Sequence, residues 1–252
     1  MTFALPVLAV AAALGGALNA VAGGGSFVTL PALVFFGMSP IAANATSTVA
    51  LWSSSIASAA AYRRDLENLR KNLPMLGAAS LVGGGIGAWL LLQTHDVTFA
   101  RIVPWLLLVA TALFAISGPL VPRLRALGVG RGGSGRMAVA LGLGQLIISI
   151  YGGYFGGGMG ILMLAAFALC GQTDIHAMNG LKSILGALIN GVAIVAFVIA
   201  GIVHWPEALT MAAGSAVGAY GGAALAHRLP TAVVRSLVIA IGTAMAVWFF
   251  LR

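Results

Sequence analysis

Gly23-Gly24-Gly25-Ser26-Phe27-Val28-Thr29-Leu30-Pro31 cuts an otherwise continuous apolar run in two, and the fold turns on how that cut is read. Upstream lies the apolar stretch 3–22; downstream lies 26–37. Glycine tolerates backbone conformations that break a helix. At ~1.5 Å per residue, twelve residues rise only about 18 Å, well short of a hydrocarbon core of ~30 Å. The arrangement recurs at Gly156-Gly157-Gly158, ahead of the short stretch 158–170. Each cluster reads as the tip or break of a discontinuous or re-entrant segment. The remaining apolar stretches are 41–61, 73–92, 101–120, 137–153, 177–200, 207–226 and 232–251. Most approach the ~20 residues that a spanning helix needs. The expected fold is an all-α polytopic membrane protein with eight to ten membrane segments.

Composition agrees. The 252 residues are 60% hydrophobic and only 7% charged, where a soluble domain carries about 25% charged residues. So few charges cannot cover a water-soluble body, which excludes an ordinary soluble enzyme. The lone Cys170 excludes an internal disulfide framework and any multi-cysteine metal site. The net charge of +8 sits in short basic runs between apolar stretches. That is the pattern of membrane loops and not of a nucleic-acid groove. A lipid bilayer is the expected environment, and no nucleic-acid partner is expected.

Positive charge sets the sides. Stretch 62–72 holds Arg63, Arg64, Arg70 and Lys71, and stretch 122–136 holds Arg123, Arg125, Arg131 and Arg136. Both are expected in the cytoplasm. Stretches 93–99 and 201–206 carry no Lys or Arg and read as outside; 227–235, with Arg228 and Arg235, reads as inside. No Lys or Arg precedes Arg63, which argues against a secretory signal and places both termini outside.

The two halves resemble each other at an offset of about 133 to 135 residues. Gly23-Gly24-Gly25 aligns with Gly156-Gly157-Gly158, Asn44 with Asn179, Thr48 with Ser183, Ser80 with Ser215, Gly83 with Gly218 and Gly87 with Gly222. This divides the chain into an N-terminal repeat (1–121), a cytoplasmic linker (122–136) and a C-terminal repeat (137–252). The Arg-rich stretch 62–72 corresponds to the uncharged 201–206, and the uncharged 93–99 to the basic 227–235. Equivalent loops then lie on opposite sides, so the repeats are inverted. Inverted repeats with matching broken helices are the layout of many secondary transporters, whose site lies near the midplane where the breaks meet.

Gly23 to Pro31, followed by Gly37, Pro40 and Ala43-Asn44-Ala45-Thr46-Ser47, resembles the sulfite exporter TauE/SafE family, also called the toluene sulfonate uptake permease family. Gly156-Gly157-Gly158-Met159-Gly160 with Ala177-Met178-Asn179-Gly180-Leu181-Lys182-Ser183 is similar to that family's second motif. The resemblance covers essentially the whole chain. It implies a bacterial inner-membrane, multi-pass permease for small anions, often sulfur-containing ones such as sulfite, sulfonates or sulfoacetate. One departure is Gly180-Leu181-Lys182, where the family commonly has Gly-Thr-Ser.

Lys182 is the leading candidate for chemistry. It is the one charge in the interior of an apolar stretch, and such residues usually face a cavity or a partner. Asp65, Glu67, Asp96, Asp174 and Glu207 all lie in or beside loops, so its natural companion is an anionic substrate. The bland alternative is a lysine near a helix start that snorkels to the interface. Asn44, Thr46, Ser47 and Thr48 open one helix, and Asn179 and Ser183 its repeat mate. Their side chains, with the helix ends freed at Gly24, Gly25, Gly157 and Gly158, could replace an anion's water shell. Equally, they could cap helices or pack between them. Asn19 and Tyr151, together with Gln145 and Ser149, precede the breaks and are weaker candidates, as are Ser53, Ser54 and Ser55. Gly83-Gly84-Gly85-Ile86-Gly87 imitates a nucleotide fingerprint but lies inside a span, where it fits close helix packing. His95, His176, His204 and His227 are scattered, so no metal and no cofactor is expected, although His176 beside Asp174 could form a proton-sensitive gate. Most of the five Trp residues fit interfacial belts.

The expected function is secondary transport of a small anion, without enzymatic chemistry. Export by facilitated diffusion needs the fewest parts, since no intramembrane Asp or Glu carries a coupling proton. An anion channel and an uptake permease for another carboxylate or sulfur oxyanion stay open, as do the anion's identity and homo-oligomerisation.

Overall fold

The computed structural model describes residues 4–21, 23–62, 73–126, 134–170, 172 and 174–226, with scattered positions between 236 and 250. Among the described residues it is entirely helical: α1 (Ala4–Val21), α2 (Ser26–Phe35), α3 (Pro40–Ala61), α4 (Leu73–Leu92), α5 (Asp96–Ala126), α6 (Ser134–Tyr154), α7 (Met159–Leu169), α8 (Ile175–Ile199) and α9 (Trp205–Ala226). The basic stretches 63–72 and 227–235, which set the expected sidedness, lie outside the described residues, as does most of the last apolar stretch.

The glycine clusters end helices as expected. Gly156 and Gly158 have φ of +77° and +78°, a left-handed conformation that costs other L residues about 1–2 kcal/mol. The helices that follow are short. The ten residues of α2 and eleven of α7 rise about 15 and 17 Å. Leu73–Leu92 and His176–Ile199, by contrast, are each long and apolar enough to cross a membrane on length and composition. One element is longer than expected. α5 has 31 residues and runs to Ala126, into the stretch read as linker, while α6 begins at Ser134.

The helices pack in pairs that match between the two halves of the chain. α1 lies along α9, and α4 along α6; α3 packs on α9, and α8 on α4; α3 and α8 meet in the middle. Exchanging α1, α2, α3 and α4 with α6, α7, α8 and α9 turns the α1–α9 pairing into α4–α6 and the α3–α9 pairing into α4–α8, and leaves α3–α8 as it is. The tightest seams need small residues, as membrane helix pairs commonly do. Along α9, Gly214, Gly218 and Gly222 face the backbone of Ala9, Ala13 and Ala17, and a Cβ on any of them would collide with it. Gly83 and Gly87 of α4 meet α6 at Leu146–Ile150 and Ile150–Tyr154 in the same way.

Phe27, Phe99, Phe155 and Phe197 are fully buried in one cluster. The outward faces carry large apolar residues instead, among them Val7, Leu14, Ile86, Trp89 and Val217. Lipid tails are as apolar as these side chains, so packing rather than water exclusion holds such a bundle together. Trp52 departs from the interfacial-belt expectation: its Nε1 donates to the Ala187 carbonyl at 3.0 Å and so ties α3 to α8.

Candidate functional site

The breaks of the two halves touch. After α1, the Gly23 amide turns back to the Leu18 and Asn19 carbonyls at 3.1 and 3.0 Å. Its Cα then packs on Gly160, in the first turn of α7, so closely that a Cβ on Gly23 would lie 2.7 Å from the Gly160 Cα. Lys182 descends from α8 onto this junction, and its stem lies against Gly160. The side chain is only 4% exposed. Its Nζ donates to the Asn19 and Ala20 carbonyls, both at 3.3 Å. An ammonium has three N–H donors, so one remains.

Lys182 also lines a small cavity. Lys182, Asn19, Ser55 and Ser183 supply its polar wall, Gly23 and Gly160 its backbone wall, and Met159, Met163 and Gly186 the rest. Its volume is about 20 Å³. Since a water needs about 10–15 Å³ on this measure, the cavity has room for one water and is too tight for a larger oxyanion as it stands. Asn19 Nδ2 donates to Ser54 Oγ at 2.7 Å and Ser55 Oγ at 3.4 Å. Ser183 Oγ donates to the Asn179 carbonyl at 2.8 Å. The first residues of α7 line the cavity, so the positive end of that helix also faces it.

Of the candidates singled out from the sequence, Asn19, Ser55, Lys182 and Ser183 come together here. Others are committed elsewhere. Thr46 Oγ1 accepts from the His204 amide at 3.2 Å, ahead of α9. Ser47 Oγ pairs with Thr29 Oγ at 2.6 Å, and Thr48 Oγ1 donates to the Asn44 carbonyl at 2.8 Å. Tyr151 Oη donates to the Gly157 carbonyl at 2.5 Å and braces the second break. Gly25 packs on Gly15 and Asn19, and Gly158 on Ala110 and Phe27; with Gly24 and Gly157 they shape the breaks without lining the cavity. Asn179 lies just before Lys182, and its buried Oδ1 has no partner among the described residues.

Ser55 is the polar wall residue that sequence reasoning underweighted. Its signal is the register of α3: Asn44, Thr48, Leu51, Ser55 and Ser58 follow the three- and four-residue steps that keep one helix face. Lys182 does not snorkel. It closes the end of α1, as Asn44 closes the end of α6 by donating from Nδ2 to the Tyr154 carbonyl at 3.2 Å. The Asp174–His176 pair is a cap: the Asp174 carboxylate accepts from the His176 and Ala177 amides at 2.9 and 3.3 Å and starts α8. Among the described residues, no three metal-ligating side chains gather.

Known proteins give this arrangement its context. The family model of the sulfite exporter TauE/SafE matches residues 8–249. The probable membrane transporter protein YfcA of Escherichia coli K12 is 28% identical over 252 residues, covering 96% of this chain and 88% of that protein. The probable membrane transporter protein ORF9 of a Sinorhizobium species is 27% identical over 247 residues, with 96% and 91% covered. A probable membrane transporter protein of Haemophilus influenzae is 28% identical over 228 residues, with 88% and 85% covered. No solved structure matches. With the match running through both glycine breaks and the lysine-bearing helix between them and the last span, the chain belongs to the sulfite exporter TauE/SafE family of membrane transporters.

Proposed function

We propose that the protein is a carrier for a small sulfur-containing oxyanion of the sulfite, sulfonate or sulfoacetate type, bound at the Lys182 cavity and exported across the bacterial inner membrane. The observation that carries this reading is the Lys182 ammonium: it is buried, and its recorded partners are two neutral carbonyls. The described carboxylates, Asp96, Asp174 and Glu207, all stand at helix starts. Charge inside a membrane demands a partner, and an oxyanion at the third N–H, with Ser55 and Ser183 beside it, meets that demand. The exchange of helix pairs between the halves supports an inverted repeat with the site at the junction of the breaks. Both termini then face the periplasm.

Direction follows from energetics. A potential of ~100 mV, negative inside, is worth about 2.3 kcal/mol per charge, so a monoanion leaves the cell unaided against a gradient of roughly fiftyfold at ~1.4 kcal/mol per decade. The step is binding and release, with no covalent chemistry.

Counterflow in proteoliposomes, screened with sulfite, thiosulfate, sulfoacetate, taurine and simple carboxylates, tests the proposal. Saturable exchange of a sulfur oxyanion supports it. Exchange confined to carboxylates, or a flux that never saturates as in a channel, overturns it.

A further inference from the structure

The end of α1 poses an electrostatic problem. The last four carbonyls of a helix lack intrahelical partners, and together they carry roughly half a negative charge. The break at Gly23 leaves this end inside the bundle. The Gly23 amide satisfies the Leu18 and Asn19 carbonyls, and Lys182 Nζ reaches the Asn19 and Ala20 carbonyls. In transporters with broken helices, half-helix C-terminal ends and unwound carbonyls are where a coupling sodium ion or proton is held. Here an ammonium of the chain itself stands at such an end.

The other half makes the contrast. The end of α6, related to that of α1 by the repeat, is met by the neutral amide of Asn44. Among the described residues, positive charge therefore meets the helix end at the first break and a neutral amide the helix end at the second. Lys182 is held there by its stem, which packs on Gly160 within the Gly23–Gly160 junction. Its ammonium cannot leave with the substrate as a free cation could.

We propose that Lys182 is a tethered substitute for a coupling cation: it occupies a cation position formed by the Asn19 and Ala20 carbonyls, and it frees the protein from any need for sodium or another monovalent cation. This inference rests on the transport reading only where flux is measured; the cation position itself is tested without any substrate.

The experiment compares melting temperatures of purified wild type, Lys182→Ala and Lys182→Gln in the chloride salts of choline, sodium, potassium and ethylammonium, at equal ionic strength and without oxyanion. Wild type is expected to melt at one temperature in all four. Lys182→Ala opens the position and should melt lower in choline, then recover in ethylammonium most and in sodium or potassium less, because choline is too large to enter. Lys182→Gln keeps a donor to the carbonyls but not the charge, and its melting should be indifferent to the cation. A wild-type melting temperature or flux that depends on sodium overturns the proposal, and so does a Lys182→Ala protein that responds equally to all four salts. Should Lys182→Ala not accumulate, Lys182→Ser melted in the same four salts decides: recovery in ethylammonium, sodium or potassium over choline supports the cation position, and an equal response to all four overturns it. If the melting pattern appears but no sulfur oxyanion is exchanged, the cation position stands and the substrate assignment falls.

Discussion

Gly23 and Gly160 meet backbone to backbone, so that the break in the first half of the chain is closed by the opening turn of α7 in the second. A Cβ on Gly23 would stand 2.7 Å from the Gly160 Cα, and one on Gly160 would stand 2.9 Å from the Gly23 Cα. Neither backbone can retreat without opening the cavity beside it.

Gly160→Ala should therefore cost about 1–3 kcal/mol by overpacking, and Gly23→Ala more, because φ at Gly23 is +79°. Gly144→Ala is the control: nothing lies within 4 Å of a Cβ there, and within α6 the change should be neutral or stabilising by up to about 1 kcal/mol. Thermal melts of the three purified variants check the order.

Lys182→Met should weaken oxyanion affinity by roughly 10- to 150-fold, since hydrogen bonds to charged groups contribute about 1.5–3 kcal/mol. Lys182→Arg should do less harm, although its planar guanidinium fits two carbonyls and a cavity poorly. Concentration dependence of counterflow reads both. Wild-type affinity in a well-folded Lys182→Met protein would reject the ligand role and leave the family assignment intact.

Two carboxylates serve as helix caps and should behave as such. Asp174→Ala removes the acceptor for the His176 and Ala177 amides; Asp96→Ala removes the acceptor for the Ile41 amide, bonded at 3.0 Å at the start of α3. Each should lower stability by about 0.5–2 kcal/mol, with substrate affinity unchanged. Asp174→Asn, which still offers an oxygen, should recover most of the loss in the same melting assay.

Sidedness can be checked with single cysteines in a Cys170→Ala background. Asn68→Cys should be blocked by a permeant maleimide and untouched by an impermeant one applied outside. His204→Cys, at an exposed position before α9, should react from outside. Outside labelling at position 68, or protection at 204, would remove the inverted arrangement.

The membrane helices were legible because length, apolarity and glycine punctuation all report on one thing, the thickness of a bilayer. Where a helix continues beyond that thickness the signal stops. α5 runs on through Pro122, Arg123 and Arg125 to Ala126, residues that a membrane criterion reads as loop. The candidate site was legible where a residue was anomalous for its surroundings, as with Lys182 in an apolar span. Hydroxyls gave no such signal. Thr46 and Ser47 look as suited to a ligand as Ser183 does, yet one is taken by the His204 amide and the other by Thr29. A hydroxyl beside a helix start satisfies backbone, neighbour or substrate with the same atoms, and only the fold chooses among them.

The seams between α1 and α9 and between α4 and α6 each join one helix from either half of the chain. The halves are thus interleaved, and neither half packs without the other: α1 without α9 would uncover the backbone of Ala9, Ala13 and Ala17. A cavity that opened by movement of whole helices would therefore carry α1 with α9 and α4 with α6, so that the parting line would cut across the two halves of the chain and not between them.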